Sequence, residues 1–371
     1  MSNQKKRARL DPPKDPNNLE IATQETEIPP THSILIVAGT YERLLYGLVG
    51  KLENDSLVLE PRFIMPTHIG CITTVGIGGK FLASGSTDEV VKLFDLKRQK
   101  ELGSLHEHTG TITKIEFYGS SHCLSAATDG SICIYRTKDW ELLKILKGHL
   151  KEVTDISIHP TGRLAISVSR DRTAVLWNLL TGQKALRIKL KSVGELVRWN
   201  NAGDKYGIVS QDNTVSVYNV SEGKLETTFQ ASSHIHDFIF VDNPDFSPEE
   251  NNSKELLIIG GQDKHIHVVD PSAQSSIGTV QVHDNRIKGI SKTTILRENK
   301  PINLIVTVSS DSKVKVWELD SLISAAKASE KIKEDSEKEQ VDSKDIIQPL
   351  GMYNAGCRLT CVVATTDPLS K

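Results

Sequence analysis

Histidine, a hydroxyl residue, aspartate and an aromatic residue recur together along this chain of 371 residues, for example as His149, Ser167, Asp171 and Trp177. A serine, a histidine and an aspartate that touch one another could act as a nucleophilic triad. The set recurs at similar intervals, however, and a hydrogen-bond network repeated in every structural unit explains this better than catalysis does. We therefore predict a structural role for these residues, with no catalytic residue and no enzyme activity.

Two further patterns resemble ligand sites but are incomplete. His265 and His267 lie two residues apart and would share one face of a strand, as paired metal ligands do, but no third ligand is near. Residues 76–80 (GIGGK) resemble a phosphate-binding loop, yet Thr74 occupies the first glycine position and Phe81 replaces the magnesium-binding hydroxyl. We predict a turn between two strands at this segment, and neither a metal site nor a cofactor.

A turn that contains aspartate recurs every 41 to 51 residues and marks an internal repeat. Each turn lies between a strand of small residues and a strand of alternating polar and apolar residues, and a bulky residue follows each aspartate by six positions. The aspartates are Asp88, Asp129, Asp171, Asp212, Asp263 and Asp311. Because the apolar period is that of a strand, each unit is predicted to be a four-stranded antiparallel sheet.

The number of repeats predicts how the sheets assemble. A seventh, degenerate copy surrounds Glu42 and lacks its leading strand, whereas residues 357–367 have the pattern of a strand with no unit after them. Pairing that strand with the first unit would close a ring and leave no open sheet edge. We predict an all-β fold, a seven-bladed β-propeller over residues 31–371. Such a repeat offers no cluster of unlike residues at the centre of the ring, as a propeller enzyme would need.

These motifs resemble the WD-repeat (WD40) propeller family. In that family a histidine before the first strand, a serine or threonine on the second, the turn aspartate and a tryptophan on the third form one hydrogen-bonded set per blade. The resemblance implies three such sets and a weaker fourth, with no histidine for Asp212 and with His234 or His236 as the partner of Asp263. The matching residues are His108, Ser125, Asp129 and Tyr135; His149, Ser167, Asp171 and Trp177; His283, Thr307, Asp311 and Trp317; and His68, Ser84, Asp88 and Phe94.

Several segments depart from the repeat. Residues 1–30 are polar and basic and are predicted to be disordered, with Lys5, Lys6, Arg7 and Arg9 as a nuclear import signal or a phosphate-contacting arm. An acidic loop, residues 241–254, is predicted as an insertion between blades, and residues 291–301 as a shorter, basic one. Residues 319–347 form a charged insertion in the last blade, before its fourth strand; we favour a solvated spacer over a partner-binding helix.

Composition limits the classes of protein and of partner. The formal net charge of −2 does not fit a globally basic nucleic-acid binder, although local basic patches remain open. No apolar stretch is long enough for a transmembrane helix, and the N-terminus lacks the apolar core of a secretory signal. Five scattered cysteines without a CxxC pair indicate a reducing compartment.

Recognition of other macromolecules is the function that remains. The residue before each turn aspartate is predicted to lie on one face of the ring, together with the loops after the histidines. These partner-binding candidates are Thr87, Thr128, Arg170, Gln211, Gln262, Ser310, Lys151, Glu152, Asp284, Asn285 and Arg286. Arg170 and Arg286 are the strongest candidates, because arginine combines charge with a planar stacking surface. A second basic stripe, predicted on a fourth strand, consists of Lys184, Arg187, Lys189 and Lys191.

A narrower resemblance suggests a function. Four segments resemble the PAK-interacting-protein group of WD-repeat proteins. They are residues 83–117, residues 148–185, Tyr41 with Glu42, and residues 193–200 (VGELVRWN). That resemblance implies a nuclear and nucleolar scaffold in large-subunit (60S) ribosome biogenesis and pre-rRNA processing, a monomer within a larger complex that binds protein assembly factors. It leaves contact with rRNA open. The alternative it implies is negative regulation of p21-activated kinases by direct binding.

Overall fold

A computed structural model describes residues 32–221, 223–246, 254–272, 275–298, 300–335 and 347–368. Within these ranges the chain forms seven sheets of four antiparallel strands each, which confirms the predicted all-β, seven-bladed propeller. The predicted N-terminal tail, with Lys5, Lys6, Arg7 and Arg9, lies outside the described residues. No described helix has the length and hydrophobicity needed to cross a bilayer.

Each blade is built from four consecutive strands, except the first, whose innermost strand comes from the C-terminal part of the chain. The first blade contains β1 (Ser33–Thr40), β2 (Leu44–Glu53) and β3 (Ser56–Pro66). The second contains β4 (Ile72–Gly78), β5 (Phe81–Ser86), β6 (Val91–Asp95) and β7 (Lys100–Leu105). The third contains β8 (Ile112–Tyr118), β9 (His122–Ala127), β10 (Ser131–Arg136) and β11 (Glu141–Lys147). The fourth contains β12 (Val153–Ile158), β13 (Leu164–Ser169), β14 (Thr173–Asn178) and β15 (Gln183–Lys189).

The remaining blades follow the same order until the last, which carries the helix. The fifth contains β16 (Gly194–Trp199), β17 (Lys205–Ser210), β18 (Thr214–Asn219) and β19 (Lys224–Gln230). The sixth contains β20 (Ile235–Asp242), β21 (Glu255–Gly261), β22 (His265–Asp270) and β23 (Ser275–Gln281). The seventh contains β24 (Ile287–Arg297), β25 (Lys300–Ser309), β26 (Lys313–Glu318), α1 (Leu319–Asp335) and β27 (Gly351–Asn354). The strand β28 (Leu359–Thr366) completes the first blade.

The hydrophobic core lies between neighbouring blades. Side chains of one sheet pack onto those of the next, as where Leu124 and Ile134 of the third blade meet Ile156 and Trp177 of the fourth. Second strands such as β13 are almost wholly buried, whereas the fourth strand β15 is exposed along most of its length. Because apolar burial supplies most of the favourable free energy of folding, a blade is stabilised mainly by its two neighbours.

The recurring aspartate has a local geometric reason. Its carboxylate accepts the backbone N–H two residues later, at 2.8 Å from Ser131 to Asp129 and 3.0 Å from Thr173 to Asp171. The residue between them adopts a left-handed conformation, with φ of 83° at Gly130 and 59° at Arg172. Aspartate favours such turns because its short side chain reproduces a backbone hydrogen bond. The turn predicted at residues 76–80 is also confirmed, since β4 ends at Gly78 and β5 begins at Phe81.

The C-terminal strand closes the ring as predicted. β28 pairs antiparallel with β1, with Leu35 opposite Thr365 and Val37 opposite Val363. Next to this pairing, the Arg62 guanidinium donates two hydrogen bonds, of 2.9 and 2.7 Å, to the carboxylate of Asp367. The strand, and the ion pair beyond its end, therefore hold the two distant parts of the chain together.

Two predicted insertions lie elsewhere than expected. Residues 241–254 do not join two blades: they connect β20 to β21 inside the sixth blade, and residues 247–253 lie outside the described part. Residues 291–297 and 300–301 are not a loop, because β24 and β25 continue through them and pair as a long hairpin, with Ser291 opposite Val306 and Arg297 opposite Lys300. Both predictions failed because repeat spacing locates an insertion but does not indicate whether the strands themselves are longer.

The first part of the charged insertion is a packed helix and not a solvated spacer. In α1, Leu322, Ile323 and Ala326 are fully buried against the sixth blade. The Ser329 hydroxyl donates to the Thr279 carbonyl of β23 at 2.7 Å, and the Lys327 ammonium lies 2.7 Å from the Asp245 carboxylate. The helix thus covers the outer strand of the sixth blade, an edge that would otherwise be open to other strands.

Candidate interaction face and central channel

The fourth blade shows how the recurring residues are joined. The Trp177 indole N–H donates to Ser167 Oγ at 2.8 Å, and the Ser167 hydroxyl donates to His149 Nε2 at 2.7 Å. His149 Nδ1 in turn donates to the Asp171 carboxylate at 3.3 Å. This chain of bonds links the third strand, the second strand, the loop before the first strand and the turn. Arg187, from the predicted basic stripe, lies 3.0 Å from the same carboxylate.

The seventh blade contains the same network. His283 donates to Asp311 at 2.9 Å and accepts from the Thr307 hydroxyl at 2.8 Å. The Trp317 indole N–H donates to Thr307 Oγ1 at 3.0 Å. These histidine, threonine and tryptophan side chains are buried, so the unmet hydrogen-bonding groups left by losing one partner would be costly.

The third and second blades have the histidine part of the network with a different aromatic residue. In the third blade, His108 lies 3.0 Å from Asp129 and 2.7 Å from Ser125, and the Tyr135 hydroxyl donates to Glu107 at 3.2 Å. In the second blade the corresponding distances are 3.0 Å from His68 to Asp88 and 2.8 Å from His68 to Ser84, and Phe94 has no donor to add.

Electrostatics keep the His149–Asp171 pair in one protonation state at neutral pH. Burial raises the pKa of Asp171, but hydrogen bonds from Thr173 and from the Leu150 backbone outweigh it and lower the pKa to about 2. Burial lowers the pKa of His149, and the attraction of Asp171 offsets only part of that effect. The imidazole is therefore neutral, with its proton on Nδ1 facing a carboxylate that only accepts. The order of these bonds is that of a nucleophilic triad, but Ser167 is fully buried, so its hydroxyl is closed to any substrate.

The described residues of the fifth and sixth blades do not form this network. Asp212 is exposed and accepts the Thr214 backbone N–H at 3.4 Å. The expectation that His234 or His236 pairs with Asp263 is wrong: His267 Nε2 lies 2.5 Å from that carboxylate. The side chain of His267 follows Asp263 by four residues on β22, a local pairing that repeat alignment does not predict. Among the described residues no cluster of histidine, cysteine and carboxylate side chains could hold a metal ion.

The predicted partner-binding residues come together at one end of the ring, which we call the loop face. It contains the turns between second and third strands and the loops that lead into first strands. The backbone N–H of Arg170 donates to the backbone carbonyl of Glu152 in such a loop at 3.0 Å, and that of Thr87 donates to the carbonyl of Cys71 at 3.0 Å. Four further residues donate their backbone N–H to a carbonyl of the neighbouring loop in the same way: Thr128, Gln211, Gln262 and Ser310.

The charges of the loop face differ in how far they are neutralised. Arg170 is exposed, but its guanidinium lies 2.9 Å from Glu152. Asp284 lies 2.8 Å from the Lys313 ammonium. Arg286 donates to the Ser310 hydroxyl at 3.2 Å. Lys151 is exposed in the loop after His149. Exposed ion pairs contribute little to stability, so these side chains can exchange their partners readily.

Three large apolar side chains on the loop face were not predicted. Ile69 is 84% exposed, Leu150 is 83% exposed and Tyr41 is 62% exposed. Ile69 and Leu150 directly follow the histidines of their networks, and their backbone N–H groups donate to Asp88 and Asp171. Their positions could have been predicted from the sequence, because both directly follow a structural histidine. The turn aspartate holds the backbone of such a residue, and its side chain points away from the ring.

The centre of the ring corrects another expectation. A channel of about 250 Å³ is lined by residues of the innermost strand of every blade, which in the first blade is β28. It contains a cluster of unlike charged residues. The Arg198 guanidinium donates to Asp155 of the fourth blade, and to Asp237 of the sixth at 3.0 Å. Each aspartate also accepts a backbone N–H from the following blade, from Val197 at 3.0 Å and from Ile290 at 2.9 Å.

These central charges have a structural function. Asp155 and Asp237 each bind the first strand of the next blade, and Arg198 joins both, so three strands are tied by one guanidinium. Burial lowers the pKa of Arg198, but the two carboxylates outweigh this and raise it. Nearby, burial raises the pKa of Glu116 to about 7, against the attraction of Lys114 and Arg198. The repeat predicted no cluster of unlike residues at the centre, because aligning the repeats shows only the positions at which the blades are most similar.

Seven four-stranded blades, with histidine–aspartate pairs that join the turns to the loops of one face, define a WD-repeat propeller. The model of the WD domain, G-beta repeat, matches residues 59–95, 99–136 and 140–178. The p21-activated protein kinase-interacting protein 1-like of Danio rerio is 32% identical, over 89% of this chain and 80% of that protein. Protein MAK11 of Saccharomyces cerevisiae is 30% identical, over 91% of this chain and 84% of that protein. The p21-activated protein kinase-interacting protein 1 of Homo sapiens is 32% identical, over 76% of this chain and 70% of that protein. The chain therefore belongs to the WD-repeat family that contains these proteins.

Proposed function

We propose that this chain is a non-enzymatic scaffold for maturation of the large (60S) ribosomal subunit and its pre-rRNA in the nucleolus. In this proposal its loop face binds protein assembly factors of the precursor particle. The sequence resemblance to ribosome-assembly WD proteins supports the biological process, and the family of the chain supports a recognition module. The basic cluster Lys5, Lys6, Arg7 and Arg9 would direct it to the nucleus.

The observation that carries the scaffold proposal is the exposure of Ile69 and Leu150 on the loop face. Both are held at the backbone by network aspartates, so their side chains are presented in a fixed position without being buried by the ring itself. Burying such residues in a partner recovers apolar surface at a small cost in conformational entropy. This arrangement favours binding of other proteins.

Protein partners are favoured over RNA because the net charge is −2 and the loop face carries both signs. Direct contact with rRNA would need a continuous basic surface. The predicted basic stripe on the outside of the fourth blade does not supply one, since Arg187 is already paired with Asp171 and Leu186 lies exposed beside it.

Depletion of the protein in cells, followed by sucrose-gradient analysis, tests the proposed process. We expect free large subunits to fall, their precursors to accumulate, and a tagged copy to sediment with the precursors. Unchanged large-subunit levels together with sedimentation of the tagged protein only at the top of the gradient would contradict the proposal.

A pair of variants tests the loop face. Ile69→Ser with Leu150→Ser should abolish sedimentation with the precursors, whereas Leu186→Ser should not. Leu186 is a matched control because it is 52% exposed on β15, outside the loop face. Equal behaviour of the two variants would show that another surface binds the particle.

The names of the relatives favour a second candidate function. The human relative is named for interaction with p21-activated protein kinase, and a 24% identical relative of Schizosaccharomyces pombe is named Shk1 kinase-binding protein 15. This chain would then inhibit such a kinase by direct binding. Titrating purified chain into a kinase assay should produce a saturable loss of activity that Arg170→Ala weakens, and an unchanged kinase rate would contradict it.

A further inference from the structure

The loop face contains one depression whose charges are all positive. Its volume is about 410 Å³ and it lies where the sixth, seventh and first blades meet. We call it the cationic depression; its lining consists of Gln262, Lys264, Asn285, Arg286, Ser310 and Arg358. Three cations and no carboxylate line it, in contrast to the mixed charges of the remaining loop face.

The cations of this depression have no internal counter-charge. Among the described residues, no carboxylate lies within ion-pair distance of Lys264, Arg286 or Arg358. Elsewhere on the same face such partners are present, at 2.9 Å for Arg170 and 2.8 Å for Lys313. Because isolated like charges repel one another, a compact group of three is more stable when an anion binds.

Positive charge extends from the depression towards the channel. Burial lowers the pKa of Lys288, and the neighbouring Arg286 lowers it further. Burial, Lys288, His234 and Arg286 lower the pKa of His236 to about 4. His236 Nε2 is buried and has no hydrogen-bond partner. The protein thus leaves a group of cations and one imidazole nitrogen unmatched on the same side of the ring.

We infer that the cationic depression binds a segment of a partner protein that is rich in aspartate or glutamate and contains apolar residues. Two of its cations are arginines, whose planar guanidinium groups match carboxylates in a bidentate geometry. Tyr41 supplies the apolar part, since its backbone N–H donates to the Arg358 carbonyl at 2.9 Å and its side chain is largely exposed. The inference rests on the proposed function, for which it specifies the chemistry of the partner.

A peptide fits this surface better than a nucleic acid does. Glu42 lies beside Arg358, whose backbone N–H it accepts at 3.4 Å, and Glu152 lies farther around the same face. A nucleic acid carries phosphate charges along its whole length, so it would meet these carboxylates as it left the depression. An acidic peptide needs negative charge only where the cations are.

Fluorescence anisotropy with the full chain tests the inference directly. The probe is a short labelled peptide of glutamates interspersed with leucines; a lysine–leucine peptide and an oligouridylate RNA of equal length serve as comparisons. We expect saturable binding of the acidic peptide, weakened by salt. Replacing Lys264, Arg286 and Arg358 together by glutamine should weaken it by about tenfold or more.

A matched variant separates local from general electrostatics. Lys97→Gln with Arg98→Gln and Lys100→Gln removes three exposed cations from the turn between β6 and β7, outside the loop face, and should leave peptide affinity unchanged. Absence of peptide binding, equal weakening by both triple variants, or tighter binding of the RNA at the same residues would overturn the inference. Thermal melts of both variants should match the unmodified chain, because all six side chains are in loops or at a strand end.

Expression in depleted cells separates this inference from the proposed function. If the unmodified chain restores large subunits and the glutamine variant of the cationic depression does not, both are supported. If that variant restores them fully, the inference is wrong while the scaffold proposal stands. If the unmodified chain never sediments with precursors, the proposed function fails, and the peptide titration still decides whether the depression binds acidic segments.

Discussion

Gly278 on the outer strand of the sixth blade lies against the backbone of Ala326 in α1. A β-carbon at Gly278 would be 1.9 Å from the Ala326 carbonyl oxygen. Only glycine allows the helix to approach this closely, which explains why a sequence rich in lysine and glutamate is nevertheless docked on the ring.

Gly278→Ala should therefore displace α1 and destabilise the chain by about 1–3 kcal/mol. Hydrogen exchange of the amides in residues 319–335 measures the displacement, and we expect it to be faster than in the unmodified chain. Gly103→Ala is the control, because Gly103 has a similar φ of 143° on β7 but no atom within 4 Å of its β-carbon position. Equal exchange in both variants would contradict a role for this contact.

Loss of a network aspartate should cost more than loss of an aspartate outside a network. Asp171→Ala leaves His149 and the Leu150 N–H without their acceptor, so we expect a loss of about 1–3 kcal/mol in the free energy of unfolding. Asp212→Ala removes one long hydrogen bond from an exposed turn and should cost clearly less. Urea denaturation of both variants measures the difference, and equal costs would refute the network.

Arg198 should be the most sensitive single residue of the channel. Arg198→Met leaves the buried Asp155 and the partly buried Asp237 without their cation, and we expect a loss of about 3–5 kcal/mol in the free energy of unfolding. Adding Asp155→Asn and Asp237→Asn to that variant removes the uncompensated charge and should recover part of the loss. Chemical denaturation of the three proteins provides the test; a triple variant less stable than Arg198→Met would contradict this account.

Stability should fall as the pH decreases from neutral. The pKa of His236 is about 4 in the folded chain, below the usual 6.5, so the unfolded chain binds the proton first. The free energy of unfolding then decreases from about pH 7 to about pH 4, and this contribution is constant below that interval. His236→Gln should make the decrease shallower. Melting temperatures of both proteins across this range measure it, and parallel curves would show that His236 is not responsible.

Much of the fold could be predicted because the repeat shows its own geometry. The interval between turn aspartates indicated the blade, and the degenerate copy around Glu42 together with residues 357–367 indicated closure. Contacts between blades were harder. Asp155, Arg198 and Asp237 are separated by 43 and 39 positions, about one repeat, which places them at similar heights on neighbouring first strands. That interval was a usable signal, but their unlike residue types hid it.

The candidate site could be predicted less fully. Its end of the ring followed from the turn aspartates, and Arg286 and Gln262 were among the residues named. Lys264 and Arg358 were missed because they come from different blades and meet only when the ring closes. Arg170, selected for its residue type, has a carboxylate neighbour that Arg286 lacks. Which cations are unpaired depends on side-chain positions, and periodicity carries no information about them.

Closure of the first blade by β28 also affects the order of events during synthesis. Ser33 and Asp367, which bond at 3.4 Å, are 334 positions apart. While the ribosome is translating, the second to sixth blades can each complete their four strands, but the first remains a three-stranded sheet with an unpaired edge. Joining such distant segments is slow, so the nascent chain carries an aggregation-prone edge until its final strand emerges. A chaperone that shields β1 during that interval would protect the protein at its most vulnerable stage.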